Sequence, residues 1–341
     1  MFIQESQRES HPALGIDLGH ANVKICWFGQ DTEHVEAFPA APAILSTGRV
    51  RELSDGPRAD GSVVKVNGVA YFVGPDAEVY MQSTAQKAAQ QGYAQSTVYK
   101  ALMLGALGRA MAKLGVPPGD EADLYCLGLG LPPTTYFSKR ESLRSEWLGR
   151  ISVPAGGGTA TVKVHEAVVL AQPVGALVAR AVTLGASAAL ELSKTNSLVL
   201  DAGGGTLDYL TTARGVKINS ERSGAVPEGM DACTVAVAKA FGGDDAEDWQ
   251  ANPHTLRIIN SAIARAAPIR LGGVVVESKE YLPVVQGVVR GGVDAALKRI
   301  GSTSDIGLVL VVGGAARSTP RSFVPGCPGS QRRCTSSKSV Y

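Results

Sequence analysis

Two apolar strands in this chain run into the same kind of turn. Leu14-Gly-Ile-Asp17 leads into Leu-Gly-His-Ala-Asn-Val-Lys24, and Ser197-Leu-Val-Leu-Asp201 leads into Ala-Gly-Gly-Gly-Thr-Leu-Asp208, 184 positions later. In each copy an Asp closes the strand and a Gly stands two positions on. A polar residue, Asn22 or Thr206, stands five positions on. Apolar segments at Val23–Phe28 and Thr206–Thr212 then turn each copy into a β-hairpin with a loop of small residues. A repeat of this kind constrains the fold more than composition does. It predicts an α/β protein of duplicated architecture with one such hairpin in each half.

The turns have the chemistry of a phosphate site. Glycine lets backbone N–H groups face an anion with no Cβ in the way. Asn22 and Thr206 can each add a side-chain hydrogen bond, and Lys24 brings a point charge for a β- or γ-phosphate. A carboxylate at the end of each strand would repel phosphate unless a cation lies between them, so Asp17 and Asp201 imply Mg²⁺ held through water. One Asp-x-Gly alone is an ordinary strand-to-turn junction. The glycine run Gly203–Gly205 and the second copy are what make the pattern specific. A third element, the apolar strand Gly307–Val312 running into Gly313-Gly314, offers backbone that a nucleobase or ribose can approach.

With 341 residues the chain is too long for one ordinary core and suits two lobes. Helical spacing is read over Thr97–Leu114, Ser138–Leu148, Val174–Leu192, Gly229–Phe241, Thr255–Ala266 and Leu282–Ile300. Strands are read over Ser62–Val66 and Val69–Val73 around the hairpin turn Asn67-Gly68, and over Leu124–Leu131, Val162–Val169 and Val216–Asn219. The expected organisation is a disordered lead-in over 1–12, then lobe I over 13–192 with a small subdomain inserted at about 40–125. Lobe II follows over 193–315, with a basic, disordered tail over 316–341. Asp244–Asp248 is read as a solvated loop.

Net charge is +2, and the chain carries no acidic residue after Asp305, whereas Arg317, Arg321, Arg332, Arg333 and Lys338 are basic. The body therefore has no general basic character, and sequence-specific contact with nucleic acid is not expected. Any attraction of the tail to acidic surfaces is non-specific. Five cysteines stand apart, with no C-x-x-C pair and no His at zinc spacing. Their scatter suits a reducing cytoplasm. The longest apolar stretch, Ala167–Leu190, contains Gln172, Pro173 and Arg180, so no membrane span is expected.

The motifs G-I-D-L-G-H-A-N-V-K and L-D-A-G-G-G-T-L-D, with Val312-Gly313-Gly314, resemble the phosphate 1, phosphate 2 and adenosine motifs of the superfamily of actins, chaperone ATPases and sugar kinases. In detail they are similar to the ParM/StbA plasmid-segregation group and to protein D of PRTRC-type plasmid clusters. Tyr71-Phe-Val-Gly74, Leu127-Gly-Leu-Gly-Leu-Pro132 and Gly229-Met230 are secondary matches. The resemblance covers about residues 13–315. It implies a duplicated, ribonuclease H-like, two-lobed fold with a central nucleotide cleft for ATP or ADP and Mg²⁺.

The resemblance also implies roles. Asp17 and Asp201 would hold the metal and its waters. Gly19, Asn22 and Lys24 would meet the terminal phosphates; His20, lying where relatives often carry Ser or Thr, either donates to a phosphate as well or faces solvent. Gly203, Gly204, Gly205 and Thr206 would cradle them from the second turn, with Asp208 closing that hairpin. Gly313 and Gly314 would face adenosine. Gln172, at the start of the connecting helix, would orient the attacking water where ParM-type proteins place Glu.

The implied activity is Mg²⁺-dependent ATP hydrolysis in a cytoplasmic protein that polymerises with itself. Such a protein moves plasmid DNA through a DNA-binding adaptor. Two alternatives stay open: a non-polymerising scaffold of the pilus-assembly type, and a small-molecule kinase of the same superfamily. After Ala315 the final strand and helix of the family are not recognisable. That end reads as a truncation, a change of reading frame or an adapted tail.

Overall fold

Alternation sets the first strand. In β1 (Ala13–Leu18) Leu14, Ile16 and Leu18 are buried while Ala13, Gly15 and Asp17 are not. A computed structural model of the chain describes residues 12–29, 32–46, 59–80, 93–243, 246–314 and 334–336. The chain divides into two compact units, Met1–Leu131 with Thr135–Leu170, and Pro132–Thr134 with Ala171–Tyr341.

In the first unit β1 pairs antiparallel with β2 (Asn22–Gly29), which pairs antiparallel with β3 (Thr32–Pro39). On its other side β1 pairs parallel with β7 (Glu121–Leu131). With β8 (Gly149–Ala155) and β9 (Gly158–Ala171) the sheet order is β3-β2-β1-β7-β9-β8. A smaller sheet has the order β4-β6-β5, from β4 (Ala43–Leu45), β5 (Ser62–Val66) and β6 (Val69–Val73). Asn67 and Gly68 both take positive φ, as the tight turn between β5 and β6 requires.

The short helix α1 (Ala77–Tyr80) is followed by α2 (Thr97–Lys113), which starts where the Ser96 hydroxyl accepts the Tyr99 N–H at 3.1 Å. Leu102, Met103, Ala106 and Leu107 of α2 are fully buried, and the helix packs on β1, β2, β5, β6 and β8. It thus ties the small sheet to the large one. Leu107→Ala should lower unfolding free energy by about 2–5 kcal/mol through the cavity it leaves, read as a shift in urea midpoint at constant slope.

The helix α3 (Pro133–Glu146) leads back to β8. In the second unit come α4 (Gln172–Leu184), α5 (Ala186–Lys194), β10 (Ser197–Ala202), β11 (Leu207–Ala213) and β12 (Lys217–Val226). They are followed by α6 (Met230–Gly242), α7 (Ala246–Ala251), α8 (Pro253–Arg265), the hairpin β13 (Pro268–Leu271) and β14 (Val274–Glu277), α9 (Leu282–Ile300) and β15 (Leu308–Val312). Its main sheet runs β12-β11-β10-β15-β16, with β16 at Cys334–Ser336. Again the first pairings are antiparallel, antiparallel and parallel. The order β12-β11-β10-β15 therefore repeats β3-β2-β1-β7, the duplication that the two turns predict.

Strand β10 is buried on both faces, as its unbroken apolar run requires. Leu198 and Leu200 pack with Cys233 and Val237 of α6, Ile259 of α8 and Val289 and Ala296 of α9. Val199, on the opposite face, packs with Leu177 of α4 and Leu192 of α5.

Several local expectations change. The single helix read over Val174–Leu192 is two, because Gly185 takes φ +78° and breaks it; the surrounding small apolar residues hide that break in the sequence. The strand read at Val216–Asn219 continues to Val226. Part of the Asp244–Asp248 loop belongs to α7, while residues 244 and 245 lie outside the described residues. In the tail, Cys334–Ser336 pairs parallel with Val309–Val311, where loop was expected. Edge pairing of this kind uses main-chain groups and needs no apolar period. The lead-in over 1–11 and tail residues 315–333 and 337–341 lie outside the described residues. β3, β4, β8, β13 and β14 are additions to the expected strands.

Arg222 of β12 clamps the segment after α9. Its guanidinium donates to Ile300 C=O at 3.1 Å, to the Asp305 carboxylate at 2.8 Å, and to Ser302 C=O. The hydrogen bond from Arg222 holds the Asp305 carboxyl below its ordinary range. A carboxyl whose folded pKa is depressed stabilises the fold above its unfolded pKa, and that contribution is lost as pH falls through the folded value. Asp305→Asn should therefore lower the melting temperature at pH 7, with the gap to wild type closing as pH is taken below about 4.

Candidate functional site

The first turn is closed by its own backbone. Asp17 and Lys24 are register partners across β1 and β2, so their side chains share one face of the sheet. Lys24 Nζ lies 3.4 Å from Asp17 Oδ2, and both side chains remain partly exposed. Between them Gly19 N–H donates to Asn22 C=O at 3.0 Å, and a Cβ on Gly19 would meet that oxygen at 3.0 Å. Ala40 N–H holds Ala21 C=O at 3.0 Å, which steadies the tip. His20 is half-buried in the turn and Asn22 is exposed at the start of β2.

The second turn repeats this closure. Asp201 and Asp208 are register partners across β10 and β11. Gly203 N–H donates to Thr206 C=O at 2.9 Å, and a Cβ on Gly203 would meet that oxygen at 3.2 Å. The sequence echo is thus an echo of hydrogen bonding. The difference lies in charge, because the position of Lys24 is taken by Asp208. Two carboxylates opposite each other on one sheet face disfavour one another unless positive charge is near. Asp208 is buried and Asp201 half-buried.

On its other side Asp201 pairs with Val312 of β15, next to Gly313. Gly313 has φ +93°, and a Cβ there would run into Asp201 Oδ1 and Ala202 C=O. Gly314 is exposed, and among the described residues no atom lies within 4 Å of where its Cβ would go. Within the second unit the structure thus gathers Asp201, Gly203, Gly204, Gly205, Thr206, Asp208, Gly313 and Gly314 around the ends of β10, β11 and β15. Gln172 is the first residue of α4, at the end where helix N–H groups are unsatisfied. The first unit gathers Asp17, Gly19, His20, Asn22 and Lys24.

Each in its own unit, Asp17 and Asp201 end a strand with a hard carboxylate donor of the kind Mg²⁺ takes, since that ion keeps several waters and uses only one or two carboxylates alongside phosphate oxygens. Among the described residues, no three His, Cys, Asp or Glu side chains form a metal cluster. A cavity of about 390 Å³ in the first unit, beside Asp60, Arg109 and Lys113, contains none of these residues. Its Arg109 is engaged by Glu36 and Asp60.

Comparison with known proteins finds one family model that matches the first part of the chain. Residues 15–175 match the N-terminal domain of actin-like proteins. The fold is actin-like. Ta0583, an archaeal actin homologue, superposes with a TM-score of 0.72 at 18% identity, over 96% of this chain and 94% of that one. The Ta0583 complex with ADP gives 0.68 at 16% identity, over 94% and 92%. Bacillus thuringiensis ParM with AMPPNP gives 0.60 at 14% identity, over 91% and 88%. At such identities the likeness is one of fold. Among curated proteins none matches the sequence significantly. Among the described residues of this actin-like chain, no helix is long and apolar enough to cross a membrane.

One residue at the site is barely signalled by the sequence. Gly229 stands out there only as a secondary match, yet a Cβ on it would lie 2.5 Å from Thr206 N and 2.7 Å from Gly204 C=O. The signal is a glycine directly before a helical run, after Pro227-Glu228. Nothing local says which backbone it must approach.

Proposed function

We propose that this actin-like chain binds ATP with Mg²⁺ and hydrolyses it. The observation that carries the reading is the repeated turn, in which a strand-terminal Asp stands seven residues from its register partner and a glycine N–H closes onto the carbonyl three residues on. The ADP and AMPPNP bound by relatives of the same fold support the nucleotide class.

In this reading Gly19, Asn22 and Lys24 take oxygens of the terminal phosphates, and His20 adds a donor at the tip. Gly203, Gly204, Gly205 and Thr206 offer amides and a hydroxyl to phosphate oxygens, with Asp208 closing the hairpin behind them. Asp17 and Asp201 would each accept hydrogen bonds from waters of a bound Mg²⁺. Mg²⁺, when bound, neutralises charge on the phosphate oxygens. Gln172 orients the attacking water as a neutral hydrogen-bonding group, and Lys24 stabilises charge building on the transferred phosphoryl. Gly313 and Gly314 leave the adenosine side open.

The wider role is nucleotide-dependent self-assembly in the cytoplasm for plasmid segregation, through a DNA-binding adaptor. Support comes from the motif resemblance and the ParM-like fold. Phosphate release from ATP with no added acceptor, dependent on Mg²⁺, is the expected result. Release only when a small-molecule acceptor is supplied would replace the ATPase with a kinase. Light scattering should rise on adding ATP and Mg²⁺ and fall as phosphate accumulates; a flat trace with active hydrolysis would favour a non-polymerising scaffold. Lys24→Ala should weaken ATP by about tenfold or more while leaving adenosine within about twofold, measured by calorimetry, since its charge meets only phosphate.

A further inference from the structure

The first turn of α6 is used by the backbone of the Gly203–Thr206 turn. A helix leaves its first N–H groups without intrahelical partners. In α6 the Met230 N–H donates to Gly203 C=O at 3.0 Å and the Asp231 N–H donates to Gly204 C=O at 2.7 Å. The N-cap Gly229 makes no side-chain cap. Two consecutive carbonyls of the turn therefore cap the helix.

That capping has a directional consequence. A trans peptide unit is planar, with its C=O and the following N–H pointing opposite ways. Because the Gly203 and Gly204 carbonyls aim at α6, the N–H groups of Gly204 and Gly205 aim away from it. Neither N–H has a backbone acceptor among the described residues. The helix macrodipole further polarises both peptides in the sense that makes those N–H groups better anion donors.

Packing leaves this arrangement no slack. A Cβ on Gly229 would lie 2.5 Å from Thr206 N, 2.6 Å from Gly205 C and 2.7 Å from Gly204 C=O. All three are backbone atoms, so a larger residue must displace the turn. From the other side α9 backs the same segment, because a Cβ on Gly292 would lie 2.7 Å from Glu228 Cβ.

We infer that Gly229 is a positioning residue: by letting α6 sit directly on the turn, it aims the Gly204 and Gly205 N–H groups as a pair at a phosphate oxyanion. The inference rests on the phosphate reading given above and adds the part that orients it. Gly229 itself touches no ligand and acts through two amides.

The test uses the full chain, with calorimetric affinities for MgATP and for adenosine and thermal melts to follow folding. Gly229→Ala should weaken MgATP by at least about tenfold and leave adenosine within about twofold, since charge-assisted hydrogen bonds to phosphate are what it misdirects. Gly292→Ala, which pushes on Glu228 without entering the turn, should give a smaller loss of the same kind. Glu228→Gly, by removing the Cβ that the added methyl group would meet, should restore MgATP affinity in the Gly292→Ala background. Folded Gly229→Ala that binds MgATP like wild type, or loses ATP and adenosine equally, overturns the inference. If Gly229→Ala does not fold, unchanged MgATP affinity in Gly292→Ala overturns it instead. Wild type that binds no MgATP overturns the phosphate reading itself, and this inference with it; binding by wild type with unaffected variants removes only the role of Gly229.

Discussion

Asp201→Ala should cut phosphate release from ATP by about a hundredfold or more while the chain stays folded. The expectation of folding comes from position. Asp201 stands at the end of β10, opposite Asp208 on the same sheet face, and is only half-buried. Removing one of two carboxylates directly opposite each other relieves like-charge repulsion, which offsets the contacts the side chain gives up, so the urea midpoint should stay near that of wild type. The expectation of lost turnover comes from chemistry. A carboxylate near a triphosphate is tolerable only with a cation between them, so its proposed work is to hold that cation's water shell. Asp201→Asn is the sharper control, because it keeps shape and loses charge. It should raise the Mg²⁺ concentration needed for half-maximal turnover as well as lower the maximum. Unchanged turnover in either variant would remove Asp201 from the mechanism. Lost turnover together with a lowered urea midpoint would point to structural damage instead.

The two hairpin turns were legible in the sequence because their residue pattern is local. An apolar run, an Asp at its end and a glycine two positions on lie within a few residues, and the second copy turned a weak pattern into a strong one. The same locality made Leu282–Ile300 and the Asn67-Gly68 hairpin readable to within a residue or so. What stayed hidden depends on distant partners. β3 carries Glu33, His34 and Glu36, and it is a strand because β2 offers a free edge, with all eight residues from Thr32 to Pro39 in register. β16 is a strand because β15 offers the same. Gly185 breaks a helix inside a run of small residues that reads as continuous. Gly229 is a glycine because backbone more than twenty positions earlier must pass within contact distance, and no window around it shows this. The duplicated sheet order follows from the turns only in outline; that β12-β11-β10-β15 repeats β3-β2-β1-β7 needed the pairings themselves.

Gly313 and Gly314 adjoin in sequence, and their substitution should have opposite consequences. Gly313 combines φ +93° with a Cβ position already taken by Asp201 Oδ1 and Ala202 C=O. Alanine there meets both a strained backbone and atoms that cannot yield without moving β10. Together these should cost about 2–4 kcal/mol of stability, the sum of a left-handed residue and an overpacked contact. Because the displaced atom is the Asp201 carboxylate, turnover should fall even at temperatures where the variant is fully folded, and it should fall more than ATP affinity does. Gly314 has ordinary φ and meets no atom of the described residues at its Cβ position, so Gly314→Ala should stay within about 0.5 kcal/mol of wild type. Its effect, if it faces adenosine, belongs to nucleotide affinity alone. Urea midpoints and steady-state kinetics on the two variants separate these roles. A Gly313→Ala chain as stable and as active as wild type would show that β15 does not hold Asp201 in place, and the glycine pair would then have to be explained by the ligand rather than by the strand beside it.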